Sequence, residues 1–500
     1  MLATSLKIVS GEHGSKVAYK TAREVEITYQ ELDQFSDEVG AWLNKSGIAE
    51  SSVVALCLPS HVEYIISYLA VAKVGGITAG INPRLTSRER QEALEILNPD
   101  LVITATGYEA GVGSEYRSEI IQLNQSTNQI MLKQRLIGET PSELEPNLNR
   151  PVCICFTSGS TGKPKGAWFT NKQLQAISDL DTGGSWGSGG HRYASTEFAH
   201  VGVMTKLPWL LSSAGTTHLV EKWNAKEILQ LIHDHQMTSV SAIAPQIALM
   251  LKQENIGSLD FSSVKAIVTG GAFASPDLIQ AGREIFGAPW SIRYSSTESG
   301  GIGLGTRLDA YDSEALHTVG KPREGVQAKI CDDAGQELPN GEIGEIWLFS
   351  PAIMSGYWND PESTAMVLKD GWLKTGDLAY INENNCFVLA GRTKEMFIRG
   401  GYNIFPLEVE GVLAGHTKVS EIVIVPRPDE VMGEIGVAVV VPLDADNPPT
   451  LEEIRQFGEK DLASYKLPEA LICIQEIPRN ATDKIDRKRL QETLPSLIDH

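Results

Sequence analysis

The sequence predicts an α/β fold: a large N-terminal domain with mostly parallel sheets and a β-rich subdomain, followed by a small α+β C-terminal domain. Three observations carry that expectation. Apolar strand-like runs alternate with helical stretches over most of the first 300 residues, as in strands joined by crossover helices. After Gly320 the runs shorten and are cut by Gly, Pro and Asn turns, the mark of a β-rich part. From about Lys394 a compact mixture of helices and strands follows, which sets the expected boundary between residues 1–393 and 394–500.

The elements follow in order. Residues 25–28 read as a strand turning into an amphipathic helix over 29–43, 53–58 as an apolar strand, and 61–74 as a helix closed by Gly75 and Gly76. A short strand at 77–79, a helix over Ser87–Leu97 and a strand at 101–104 continue the alternation. Residues 125–150 are polar and weakly periodic, and read as a surface connection. Alternation resumes with a strand at 152–156 and a helix at 171–180, then a Gly- and Ser-rich loop over 181–190. Next come a helix at 225–235, a strand at 239–243, a helix at 245–253 and a strand at 264–269. The helix Pro276–Phe286 has Ser275 as N-cap and Pro276 at its first position. Strands Gln327–Cys331 and 344–348 belong to the β-rich part. Helix Pro406–Leu413, strands at 422–425 and 437–441, and a helix at 451–462 make the last unit.

Composition narrows the function classes. Of 500 residues, 42% are hydrophobic and 21% charged, the balance of a globular chain with a sizeable core. A formal net charge of -20 argues against general nucleic-acid or anionic-membrane binding, since both ask for a basic surface. An anionic ligand must therefore be held by local devices. Cys57, Cys153, Cys155, Cys331, Cys386 and Cys473 form no Cys-x-x-Cys pair, and no His cluster accompanies them. Cys153 and Cys155 share one face of an apolar strand, so both are expected in the core and the chain in a reducing cytoplasm. The first seven residues hold too few apolar side chains for a signal peptide, and the apolar stretch at 64–74 is too short to span a bilayer.

The strongest motif runs Phe156-Thr157-Ser158-Gly159-Ser160-Thr161-Gly162-Lys163-Pro164-Lys165-Gly166. An apolar strand enters a loop whose backbone N–H groups and hydroxyls can converge on phosphate oxygens, while a lysine neutralises charge. Pro164 follows Lys163, so this is not the Walker P-loop, which needs Ser or Thr there. The segment resembles the phosphate loop of the adenylate-forming superfamily, which includes acyl- and aryl-CoA synthetases, nonribosomal adenylation domains and luciferases, and further motifs match in order.

Tyr294-Ser295-Ser296-Thr297-Glu298 resembles the family's Tyr-Gly-x-Thr-Glu, with Ser295 where Gly is usual. The resemblance implies that Thr297 meets the α-phosphate and that Glu298, with Thr161, helps hold Mg²⁺, a hard cation that suits a carboxylate beside phosphates. Gly270-Gly271-Ala272 is similar to the loop along the adenine, which would place Gly271 and Ala272 there. Asp377, in Lys374-Thr375-Gly376-Asp377, takes the place of the acidic residue that accepts the ribose hydroxyls. In Gly391-Arg392-Thr393-Lys394-Glu395, Arg392 is implied on ribose and phosphate and Lys394 as hinge. Gly400, Gly401 and Tyr402 would line the coenzyme A tunnel. Near the C-terminal end, Lys484 takes the place of the family's catalytic lysine, with Asp483 where Gly is usual.

Phe198-Ala199-His200-Val201-Gly202 sits where acyl- and aryl-acid members carry a His or aromatic residue beside the acyl pocket. Amino-acid-activating members place an Asp there, and no carboxylate stands out near His200, so an α-amino acid is disfavoured. The small residues Gly300, Gly301, Gly303 and Gly305 leave volume for a chain or ring, and Lys206 either reaches solvent or meets a polar substituent. The resemblance implies ATP, Mg²⁺ and coenzyme A as co-reactants, a fatty, aryl or alicyclic acid as substrate, and a small domain that is mobile. The sequence ends at His500 with no carrier module, which favours coenzyme A as acceptor over an acyl carrier protein. Monomer and homodimer both stay open.

Overall fold

The computed structural model describes residues 2–21, 25–123, 126–157, 164–182, 189–194, 196–220, 222–272, 274–480 and 484–498, without the side chains of 182 and 495–498. The chain forms a mixed α/β large domain with three sheets and a β-rich subdomain, and a smaller α+β domain after it. The widest sheet has seven strands in the order Gly356–Tyr357, Lys165–Thr170, Pro151–Thr157, Ile77–Gly80, Val53–Cys57, Leu101–Ala105, Ser118–Ile121. From Pro151–Thr157 outward to Ser118–Ile121 all pairings are parallel. Val53–Cys57 is buried at every residue, as a strand covered on both faces must be. Helix Val62–Lys73 is apolar nearly all round and buried from Val62 to Val71. The Lys165–Thr170 strand runs antiparallel to Pro151–Thr157, so the two described ends of the phosphate-loop motif face one another.

A five-stranded sheet places Ser239–Ala242, Ala266–Gly270 and Trp290–Tyr294 in parallel, then adds two short antiparallel strands. A four-stranded sheet orders Glu26–Thr28, Val17–Thr21, Thr216–Leu219, His191–Tyr193. The β-rich part pairs Gln327–Cys331, Gly344–Phe349, Trp372–Ile381 and Phe387–Arg392 antiparallel. In the small domain, Val419–Asp429 and Gly433–Pro442 form a long hairpin. Alternate residues feed opposite faces: Ile422 and Ile424 join Val409 and Leu413 on one side, Val423 and Val425 join Leu490 and Leu494 on the other.

Helices Ser87–Leu97, Pro276–Phe286 and Pro406–Leu413 form as the sequence predicts. Thr86 and Glu89 close a capping box, and the Ser275 side chain accepts from Leu278 N. Other expectations need correction. The 125–150 segment is more than a surface connection: Ile130, Met131 and Gln134 are buried, and Arg135 pairs with the buried Glu38 at 2.6 Å. The helix placed at 171–180 runs on to Thr182 and so takes in Asp181; residues 183–188 of the expected loop lie outside the described residues. The helix placed at 451–462 is Leu451–Gly458, because Gly458 and the turn after it end the run. The N-terminal stretch folds into helix Leu2–His13, which buries Leu2, Leu6 and Val9.

Candidate active site

Across the pairing of Pro151–Thr157 with Lys165–Thr170, Thr157 stands opposite Lys165. The Lys165 ammonium donates to Ser363 Oγ at 2.8 Å and lies 5.0 Å from the centre of the Tyr357 ring. Ser158, Gly159, Ser160 and Thr161 lie outside the described residues.

Strand Trp290–Tyr294 delivers the next motif. Beyond Ser295, Ser296 and Ser299 exchange hydrogen bonds, N to Oγ at 3.0 Å and back at 3.2 Å, closing a tight turn around Thr297 and Glu298. Glu298 Oε1 accepts from Tyr357 Oη at 2.8 Å, and its backbone carbonyl accepts from Met354 N at 2.8 Å. Tyr294 Oη donates to Asp377 Oδ2 at 2.6 Å, and Arg392 Nε meets Asp377 Oδ1 at 2.8 Å. Burial, then the Asp377 charge, pushes the Tyr294 phenol well above its ordinary pKa. Asp377 and Arg392 meet because they face one another across the pairing of Trp372–Ile381 with Phe387–Arg392. The Asp377 charge raises the Arg392 pKa further. Gly376, at φ 74°, lets the chain turn so that its N–H reaches Glu345 Oε1 at 2.9 Å.

Lys484 arrives from the small domain. Asn480 N donates to Lys484 O at 2.8 Å and Lys484 N to Asn480 Oδ1 at 3.1 Å, which anchors the lysine's backbone. Burial, then the Arg392 charge, lowers its pKa from the ordinary 10.5, while Asp377 and Glu298 pull it back up. His200 begins the helical turn Val201–Met204, and its Nδ1 accepts from Gly202 N at 3.1 Å. Burial first and the Lys484 charge second lower the His200 pKa from 6.5 to about 4. The ring is therefore neutral near pH 7, and the Gly202 bond leaves its proton on Nε2. The structure thus gathers Glu298, Tyr294, Asp377, Arg392, His200 and Lys484 from both domains.

Beside them, Thr205 Oγ1 donates to Gly300 O at 3.2 Å. A Cβ added at Gly301 would lie 3.3 Å from Lys206 Cε, so glycine there keeps room beside the lysine. Lys206 does not simply reach to solvent: it pairs with Asp181 at 2.9 Å, as does Arg323. A carboxylate does lie near His200 in sequence, at Glu197, which corrects the expectation of none. Glu197 is engaged, accepting from Ser60 Oγ at 2.7 Å and pairing with Arg84 at 3.2 Å. Gly271 and Ala272 follow the strand Ala266–Gly270, with Gly271 exposed at φ 76°.

The hinge and tunnel candidates are not gathered with the rest. Lys394 is exposed in the turn after Phe387–Arg392. Gly400 N donates to Met432 O at 2.8 Å, and Gly400 and Gly401, at φ 55° and 88°, turn the hairpin between Phe397–Arg399 and Tyr402–Ile404. Tyr402 stacks on Tyr465 with centroids 4.4 Å apart. Sequence reasoning missed Tyr357, Ser363 and Asp181. Each meets its partner only through tertiary packing, Tyr357 lying 59 positions from Glu298 and Ser363 198 positions from Lys165.

Residues 7–358 match the AMP-binding enzyme family, and 408–484 the AMP-binding enzyme C-terminal domain. The chain is 29% identical to fatty acid–[acyl-carrier-protein] ligase ScoC of Streptomyces coeruleorubidus, over 93% of this chain and 91% of that one. It is also 29% identical to indoleacetate–CoA ligase of Aromatoleum aromaticum, over 94% and 93% of the two chains. ATP-bound MatB from Rhodopseudomonas palustris shares the fold, with a TM-score of 0.88, 24% identity and 99% of each chain covered.

Proposed function

The chain belongs to the AMP-binding enzyme family, and from this premise we propose how its residues activate a carboxylic acid with ATP and pass the acyl group to coenzyme A. It is an AMP-forming acid–thiol ligase that uses ATP, Mg²⁺ and coenzyme A. The observation that carries the reading of the site is Lys484, brought from the small domain within the electrostatic reach of His200, Asp377, Glu298 and Arg392.

In the first half-reaction a carboxylate oxygen bonds to the α-phosphorus, the bond from that phosphorus to the β-bridging oxygen breaks, and pyrophosphate leaves. Two anions must be held together, so positioning and charge stabilisation do most of the work. Lys484 bridges the acyl and α-phosphate oxygens. Thr297 meets the α-phosphate, and Thr157, Ser158, Gly159, Ser160, Thr161 and Lys165 hold the β- and γ-phosphates. An ionised carboxylate has about four acceptor sites, so Asp377 has capacity left for the ribose diol beyond Tyr294 and Arg392. Glu298, a hard oxygen donor whose Oε1 is steadied by Tyr357, fits Mg²⁺, for which Thr161 is the second expected ligand. Bound there, Mg²⁺ supplies neutralisation of the phosphate charge. His200, neutral and with its proton on Nε2, adds a donor rather than a second cation.

In the second half-reaction the thiolate sulfur bonds to the acyl carbon and AMP leaves. The small domain, residues 394–500, turns about Lys394, withdraws Lys484 and brings Gly400, Gly401 and Tyr402 to the thiol. The exposed Lys394 turn between the two domains' sheets supports that hinge. A fatty, aryl or alicyclic acid suits the acyl side. Glu197, the carboxylate nearest His200 in sequence, is already paired with Arg84 and Ser60, which disfavours it as the partner of a substrate ammonium. Six free cysteines fit a cytoplasmic setting, and no described helix is long and apolar enough to cross a membrane.

The test assays the two half-reactions separately. Lys484→Ala is expected to abolish pyrophosphate release from acid and ATP, yet still to transfer acyl from supplied acyl-adenylate to coenzyme A. Loss of both halves together in a folded variant would remove the alternation model. A panel of fatty, aryl, alicyclic and α-amino acids identifies the substrate class, and robust turnover with an amino acid alone would overturn it. A second reading, loading of an acyl carrier protein, is favoured by the similarity to ScoC. Acyl transfer to holo-carrier protein with none to coenzyme A would select it.

A further inference from the structure

Three of the chain's ten histidines converge in the large domain from three separate elements. His191 opens strand His191–Tyr193, His218 lies in the adjoining strand Thr216–Leu219, and His235 caps the C-terminal end of helix Ala225–Asp234. The parallel pairing sets His218 beside Tyr193, two residues along from His191, so both imidazoles project from the same face of the sheet. That face packs on the helix whose end carries His235. One ring nitrogen from each residue lies within 4.8 Å of the other two, and His191 Nδ1 is 2.9 Å from His218 Nε2.

We propose that His191, His218 and His235 form a binding site for one divalent transition-metal ion, with zinc the best match, separate from the nucleotide site and its Mg²⁺. Three imidazoles select borderline metals such as Zn²⁺ and do not suit Mg²⁺ or Ca²⁺, which take oxygen ligands. Zinc–nitrogen bonds of about 2.0–2.1 Å in a tetrahedron put the nitrogens ~3.4 Å apart. The trio brackets that spacing, so ring rotations rather than backbone movement close the site. His218 is buried and fixed in a strand, whereas His191 is exposed, which leaves a route in and a fourth position for water. The carbonyl end of the helix before His235 carries partial negative charge, which favours a cation there.

Two features oppose it. Lys16 and Lys20 lie close enough for their charges to reach His191. Lys16 is turned onto Gly189 O at 2.7 Å, however, and Lys20 pairs with Glu26 at 3.6 Å. The rings also pack on one another, His191 stacked on His235 with centroids 4.8 Å apart and His218 tilted at 4.1 Å from His235, as a plain packed stack could do. A stack alone predicts no metal affinity, and this separates the two. Bound metal would tie the edge strand of the four-stranded sheet to the neighbouring helix.

The experiment uses tag-free, full-length protein stripped with a chelator. Equilibrium dialysis against zinc at saturating Mg²⁺ is expected to show one zinc per chain, and Co²⁺ substitution to give the visible absorption of a low-symmetry nitrogen site. His235→Ala and the exposed, fold-tolerant His191→Gln should each weaken zinc by more than about tenfold, whereas His317→Ala, at an exposed histidine outside the trio, should not. Zinc should raise the melting temperature of the wild type and not that of His191→Gln. Absence of stoichiometric zinc, or equal affinity in His191→Gln and His317→Ala, would overturn the proposal.

Discussion

Removing the Lys484 charge should raise the pKa of His200, and the size of the rise measures how the two domains meet. The His200 pKa falls from 6.5 to about 4, and burial is the larger of its two causes. Lys484 therefore accounts for less than half of that fall, at most ~1.2 pH units, or ~1.7 kcal/mol at about 1.4 kcal/mol per unit. The sign follows directly. A nearby cation disfavours the imidazolium, so Lys484→Met lets His200 accept a proton at higher pH, while burial keeps the value below 6.5. The assay is a ¹³C-histidine NMR titration of wild type, Lys484→Met and His200→Gln, the last assigning the resonance. The expected result is a His200 signal titrating near pH 4 in the wild type and up to about one unit higher in Lys484→Met. A titration unchanged by Lys484→Met would mean that the small-domain lysine does not sit beside His200 in solution. A wild-type value near 6.5 would remove the burial of His200 itself.

Other substitutions probe the remaining parts. Asp377→Asn loses charge-assisted bonds to Arg392 and to the ribose diol, each worth about 1.5–3 kcal/mol, so KM for ATP should rise about 10- to 100-fold with a smaller change in kcat. Pyrophosphate exchange reads this, and an unchanged KM would take Asp377 out of the nucleotide site. Glu298→Gln keeps an acceptor for Tyr357 Oη, so the melting temperature should move by no more than a few degrees while adenylation falls steeply. Full activity at saturating Mg·ATP would free Glu298 of its assigned role. Glu410→Ala strips the carboxylate that Arg487 grips through both terminal nitrogens at 2.7 Å, in a domain core where Glu410 is 8% exposed. Arg487 keeps Glu395 at 3.2 Å and Ile424 O but loses its bidentate partner, which should cost the small domain about 3 kcal/mol. Hydrogen exchange should show faster opening of strands Val419–Asp429 and Gly433–Pro442, with the seven-stranded sheet unaffected.

How much was legible in the sequence depends on where each device keeps its parts. Helices Ser87–Leu97 and Pro276–Phe286 were readable to the residue because caps and apolar period are contiguous in the chain. The motif residues Tyr294, Asp377 and Arg392 were singled out by the resemblance of their short contiguous motifs, and the fold brings the three side chains together. Helix Leu2–His13 could have been found, because Leu2, Leu6 and Val9 repeat at helical spacing, but the polar residues between them masked it. The burial of Ile130 and Met131 could not, because nothing local distinguishes them from a polar loop's stray apolar residues.

What tunes the site was least legible. Asp181 decides whether Lys206 is a free cation or half of a pair, yet it sits 25 residues away in a stretch that read as a loop. Tyr357 steadies Glu298 from a strand of another sheet, and the low pKa of His200 comes from burial first and then from a lysine 284 residues further along the chain. Catalytic residue types can be placed by a local pattern, because each must bring one functional group on one turn. Their protonation states are set by burial and by charges arriving from remote segments, and those exist only once the chain has folded. The same division holds for the histidine trio, whose members are spaced 27 and 17 residues apart and form no motif until two strands and a helix end bring them together.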